Sequence, residues 1–168
     1  RHSHHLSLSV RTPAGIFPIE RSFGWGAHIT DQRLPYQQID DQCFWVDDPS
    51  SNDYNTFQRE SSDPKTRWKS FERLKIKDYE YVIVVEYNTR PVIKGKGSAI
   101  FFHLKDEQTL TTSGCIGIMR SQMIPVLEWL DPDRHPAIAI VPMPDHLYVH
   151  DRINNASRFL NRQIQNGI

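Results

Sequence analysis

The stretch "GSAIFFHLKDEQTLTTSGCIGI", residues 97–118, decides how this chain is read. Its first part, "SAIFFHL" (98–104), is a short apolar run of the kind that forms a buried strand. His103 lies near the end of that run, where a solvent-seeking side chain has little reason to be. Twelve positions later Cys115 follows Gly114 in "TTSGCIG". Gly114 permits a turn or a close backbone approach, and Thr112 and Ser113 can bond to nearby backbone. The thiol is therefore expected on a turn, not packed in a strand. The next helix is expected near Ser121, too far on for its N-terminus to activate Cys115, so the simplest activator is a histidine. Cysteine plus histidine is the smallest set that generates a thiolate–imidazolium nucleophile, and the backbone N–H groups around Gly114–Cys115 could form an oxyanion hole. The same residues also fit a hydrogen-bonded strand-end histidine and a buried cysteine acting as a small hydrophobe. Spacing alone does not choose between the two readings.

Outward from this stretch, "YEYVIVVEY" (79–87) is the strongest strand, too apolar for an exposed face. "SQMIPVLEWL" (121–130) puts Met123, Ile124, Leu127 and Leu130 on one helical face, with Ser121 as N-cap and Pro125 in or near the first turn, where proline is tolerated. "AIAIV" (137–141) reads as a strand entered from the turn "DPDRHP". "HLYVH" (146–150) reads as one more strand, and "INNASRFLNRQI" (153–164) has the spacing of a C-terminal helix. Toward the N-terminus, "RTPAGIFPIERSFGWG" (11–26) reads as turn, short strand, turn. Residues 27–70 look irregular and polar, but Tyr36, Phe44, Trp45 and Tyr54 argue for an ordered segment that covers something.

The 168 residues suit one domain with a substantial core. The domain is expected over 12–150, after a ragged end (1–11) and before a C-terminal helix (151–168). Lys+Arg and Asp+Glu both number 20, which argues against a charge-driven nucleic-acid binder. No apolar run approaches the roughly eighteen residues of a membrane span. The two cysteines, Cys43 and Cys115, are too few for a disulfide framework, although one bridge could form, and the Cys and His spacing does not suit a structural zinc site. "RHSHHLSLSV" reads as a ragged end or tag remnant more readily than as a metal tract. No secretory signal is visible, and a start without Met fits removal of an upstream segment. His28, His135, His146 and His150 read as surface or turn residues, and Cys43 as packed. The Asp pairs at 40–41 and 47–48 read as solvated or capping groups.

The segments "GKGSAIFFH" and "TTSGCIGI" resemble the signature of the L,D-transpeptidase (YkuD-like) family, which runs from a strand-end histidine to a Ser/Thr–x–Gly–Cys turn. "TPAGIFPI" is similar to that family's entry segment. "WVDDPSSNDYNTF" and "VIVVEYN" resemble a subgroup that also carries "GSAIFxH". The resemblance implies a mainly β fold with a few helices (α+β), built of mixed sheets. It implies cysteine-dependent acyl transfer on peptidoglycan stem peptides, with Cys115 as nucleophile and His103 as base. Ser113 and Gly114 match the turn before the nucleophile, and a backbone carbonyl in place of an Asp would orient the imidazole. Gly117 stands where many members carry Arg or Asn, so the substrate carboxylate would need another partner, with Arg90, Lys94, Lys96 and Arg120 nearest in sequence. Substrate contacts are expected from Trp45, Asp47, Tyr54, Asn55, Asn88, Ser98 and Gly117, with Asp48 on the same cleft wall. The resemblance also implies a periplasmic or secreted location, no cofactor or metal, acylation by carbapenems, and a monomer. Two rivals remain at this stage: a catalytically weak peptidoglycan-binding module on the same fold, and an unrelated cysteine hydrolase. The sequence leaves open whether amine or water accepts the acyl group.

Overall fold

A computed structural model describes residues 12–105 and 114–141. Ser113, the strand expected at 146–150, the helix expected at 153–164 and the histidine-rich N-terminal residues lie outside the described residues.

Alternation along short strands builds the core. Five strands form a mixed sheet in the order β3 (Tyr36–Gln38), β2 (Ser22–Gly24), β7 (Val82–Val84), β8 (Phe101–Leu104), β9 (Ile116–Ile118). The outer pairs, β2–β3 and β8–β9, run parallel, and the inner pairs run antiparallel. Side chains of successive residues leave opposite faces. One face carries Phe23, Val82, Val84 and Phe101, which share a cluster with Trp45, Leu74 and Tyr79. The other face carries Tyr81, Ile83, Phe102, Leu104 and Ile118, which meet Met123, Leu127 and Leu130.

That second face is covered by the helix α1 (Arg120–Trp129), whose Met123 and Leu127 are fully buried. The helix begins two residues earlier than a Ser121 N-cap would place it. The Gln122 side chain accepts from the Met119 N–H at 3.0 Å, so Met119, not Ser121, occupies the N-cap position. Pro125 is consequently the sixth helical residue, past the first turn; it costs the helix one backbone bond.

The first face is covered by residues that looked irregular in the sequence. β4 (Cys43–Val46) pairs antiparallel with both β5 (Thr56–Arg59) and β6 (Phe71–Arg73). All four residues of β4 are buried because this small sheet is itself sandwiched. Cys43 and Trp45 face the large sheet, while Phe44 and Val46 pack under Trp68 and Phe71. A separate two-stranded ribbon joins β1 (Gly15–Pro18) to β10 (Ala137–Ile140), as expected for "AGIFPI" and "AIAIV". The strong strand expected over 79–87 shortens to β7, because Lys77–Tyr79 forms a single 3-10 turn. Cys43 and Cys115 are not joined in a disulfide.

Candidate active site

Cys115 sits at a bend directly before β9, not on an open turn. Gly114 makes the bend with φ of 102°, a conformation that favours glycine. The thiol is half-buried and packs against the aromatic cluster beneath the small sheet. Its Sγ donates to the Ala99 carbonyl oxygen at 3.3 Å. Burial pushes the thiol up to about 11, the Glu72 charge pushes the same way, and hydrogen bonding from the Phe101 backbone opposes both.

His103 is the third residue of β8, opposite Gly117 of β9 and Val82 of β7. Its neighbours Phe102 and Leu104 point toward α1, so His103 points to the thiol-bearing face. Cys115 is one strand over and two residues back, a diagonal of roughly 8 Å between Cα positions for ordinary strand geometry. Two side chains can span that distance. The imidazole Nδ1 lies 2.8 Å from the Leu104 carbonyl oxygen. In the tautomer that donates there, Nε2 is left as the acceptor. The ring also packs edge-on against Tyr79, with centroids 5.4 Å apart.

The other expected site residues separate by role. Asn55, held at φ of 57°, is a buried connector. Its Oδ1 accepts from Trp45 Nε1 at 2.9 Å and from the Ala99 N–H at 3.1 Å, while its Nδ2 donates to the carbonyls of Tyr87 and Asn88. Tyr54 Oη accepts from the Gly97 N–H at 3.1 Å. Asn88 donates to the carbonyls of Ile93 and Gly97. Trp45, Tyr54, Asn55 and Asn88 thus spend their polar atoms holding residues 87–99, and so aim the Ala99 carbonyl at the thiol. Trp45 is 1% exposed, which leaves it no surface to offer a ligand. Ser98 and Asp47 remain partly exposed, and one Asp47 oxygen is buried with no described partner. Asp48 is a capping group, accepting from Ser50 and from the Lys69 N–H. Asp40 pairs with Arg59, and Asp41 with Lys75.

The basic residues nearest in sequence are mostly engaged. Arg90 pairs with Glu20 and Arg120 with Glu80, and Lys94 donates to Asn52. Lys105, which sequence reasoning passed over, lies against Gly117: a Cβ built on that glycine would stand 2.9 Å from Lys105 Cδ. Glycine at 117 is therefore what lets a lysine from the next strand lie over this part of the face. Glu72 and Tyr79 were also missed. Neither has a spacing signal, because Tyr79 arrives on a 3-10 turn and Glu72 on a three-residue strand. Among the described residues no group of three or more His, Cys, Asp or Glu could hold a metal ion, and no helix is long and apolar enough to cross a membrane. A cavity of about 260 Å³ lies at the β2–β3 side of the sheet, lined by Arg21, Tyr36 and Phe57 among others, and it touches neither Cys115 nor His103.

The mainly β architecture of mixed sheets with one helix, and the placement of Cys115 and His103 on one sheet face, narrow the comparison. A family model for the L,D-transpeptidase catalytic domain, YkuD, matches residues 7–142, and the chain belongs to that family. No curated protein and no solved structure matches it. The family is generally enzymatic and acts on peptidoglycan, and its domains are typically extracellular or periplasmic.

Proposed function

We propose that this domain transfers acyl groups on peptidoglycan stem peptides through a Cys115 thioester, with His103 as general base, outside the cytoplasmic membrane. The observation that carries the reading is the register of β8 and β9, which sets His103 and the bend at Cys115 on one face of the sheet in a member of this family. As Sγ attacks the peptide carbonyl carbon, His103 Nε2 takes the thiol proton and the carbonyl π electrons move to oxygen. Collapse of that intermediate expels the amine of the leaving residue, which takes the proton back from His103. An amine or water then attacks the thioester by the same route.

Burial makes the thiol hold its proton more tightly than usual, so in this reading attack and proton transfer to His103 run together. Lys105 supports recognition of a substrate carboxylate, since Gly117 offers no side chain of its own. Loose hold on a second peptide favours water as acceptor. Incubation with tetrapeptide muropeptides followed by mass spectrometry should give mainly the tripeptide, with cross-linked dimer in the minority, and Cys115→Ser should give neither. The acyl-transfer reading fails if the folded parent gives neither product; an excess of dimer would leave it standing and make the domain chiefly a transpeptidase. The elevated thiol also favours a second reading, a stem-peptide-binding module with little turnover. That reading predicts binding to muropeptides without either product.

A further inference from the structure

A carboxylate that the acyl-transfer scheme leaves idle is tied to the aromatic ring that packs on His103. Glu72 stands on β6 opposite Trp45 of β4. It accepts a hydrogen bond from the Tyr79 hydroxyl at 3.0 Å and makes no ion pair with a described residue. Burial raises its proton affinity, while the phenol O–H favours its ionised form. Tyr79, 6% exposed, stands edge-on to His103 and to Phe101, with ring centroids 5.4 and 5.9 Å away. One phenol therefore touches the acid through its hydroxyl and the base through its ring. The charge on Glu72 also reaches Cys115, where it works against the thiolate. Two further acids face the group, Asp47 toward Glu72 and Asp78 toward Tyr79.

Building on the acyl-transfer reading, we propose that Glu72 and Tyr79 are positioning residues for the thiol–imidazole pair: Glu72 fixes the Tyr79 ring against His103, adds to burial in disfavouring an isolated Cys115 thiolate, and balances the positive charge His103 gains when it takes the thiol proton. Glu72 itself neither gains nor loses a proton in the step. A negative charge next to the pair opposes an isolated thiolate and supports the imidazolium, so it acts in opposite directions on the two reactions that Cys115 can undergo.

That opposition is the test. Glu72→Gln keeps an acceptor for the Tyr79 hydroxyl and removes only the charge. Alkylation of Cys115 by iodoacetamide, followed against pH, should show a midpoint moved down by about one unit. Near neutrality the rate should rise about threefold, because the gain in thiolate is partly offset by weaker intrinsic nucleophilicity. Turnover of tetrapeptide muropeptides should fall about tenfold in kcat with KM unchanged, since a lost unit of charge stabilisation is a factor of ten. Tyr79→Phe keeps the ring and drops the tether, so it should move both quantities the same way, and the double variant should be no worse than the stronger single one. Cys43, 1% exposed, is the internal control, since it stays unlabelled while the protein is folded. If Glu72→Gln exposes Cys43, Tyr79→Phe carries the test. A folded variant whose alkylation curve superimposes on the parent's overturns the proposal, as does a variant in which both reactions slow together. Failure of both variants to fold would make the pair a core brace and likewise end the proposal. Lack of muropeptide turnover by the parent would end the acyl-transfer reading, while the alkylation curves would still judge whether Glu72 disfavours the Cys115 thiolate.

Discussion

Along β8, adjacent residues meet different worlds. Phe102 and Leu104 turn toward α1 and an aliphatic layer of Met123, Leu127 and Ile138, where contacts are numerous and non-directional. Phe101 and His103 turn toward an aromatic layer threaded with hydrogen bonds, in which Trp45, Tyr79 and Asn55 each have a specific partner. The helix-side face can redistribute small losses by repacking. The thiol-side face cannot, because each polar group there has one geometry that satisfies it. Non-directional packing and directional bonding are thus divided between the two faces of one strand.

The largest effect should come from exchanging these roles. His103→Ala should cut muropeptide turnover by ~10²–10⁴-fold while the protein still melts cooperatively. Leu104→Ala, one residue away, should cost about 2–5 kcal/mol of stability and leave the rate of Cys115 alkylation near the parent's. Loss of folding in the first variant, or loss of thiol reactivity in the second, would break the division. Next in size is Asn55→Ala. It strands the Trp45 Nε1–H and the Ala99 N–H, at about 1–3 kcal/mol for each unsatisfied group. Denaturant titration should show that loss, together with a changed Cys115 alkylation rate, because the Ala99 carbonyl is no longer aimed.

The half-buried thiol predicts a smaller effect that depends on pH. The folded-state value of about 11 stands above the ordinary 9.0. Between those values the unfolded chain has lost a proton that the folded chain keeps, so stability falls as pH rises through this window and is intact below it. The loss should approach about 2 kcal/mol. Cys115→Ala should flatten the alkaline side of the stability curve, and taking the difference between parent and variant cancels the tyrosines other than Tyr79, whose proton affinity the Cys115 charge also raises. Equal curves would mean that the thiol is better solvated than its packing suggests. The smallest effect is expected for Lys105→Ala: a few-fold rise in KM for stem peptides at unchanged kcat, about 1 kcal/mol or less for a charge still partly in contact with solvent.

The same division explains what could be read in the sequence. β8, β10, β1 and α1 were legible because each presents a simple apolar period; Cys115 and His103 stood out for a glycine beside the thiol and a histidine near a strand end, and the register sets both on one sheet face. The small sheet was not. β4 is buried on both sides and shows no alternation, while β5 and β6 span four and three residues. Its strands were therefore hidden among polar turns, even though its aromatics correctly suggested a cover. Tyr54, Asn55 and Asn88 have the residue types of ligand contacts, yet their donors and acceptors turn inward. Only tertiary pairing could show that, and only tertiary pairing brings Glu72 and Tyr79 toward His103 and sets Lys105 against Gly117.

The Asn55 side chain has a consequence for how the domain breathes. It bonds at once to β4, to the Tyr87–Asn88 backbone and to the Ala99 amide. Ala99 itself is held at φ of 56°, a conformation an alanine keeps only under constraint. The segment that aims a carbonyl at the thiol therefore cannot open by itself as an ordinary surface loop would; it must open together with the 43–59 hairpin. In hydrogen-exchange terms, the Ala99 amide belongs to the same cooperative unit as the small sheet, and the resting geometry of the thiol lasts as long as that sheet stays docked.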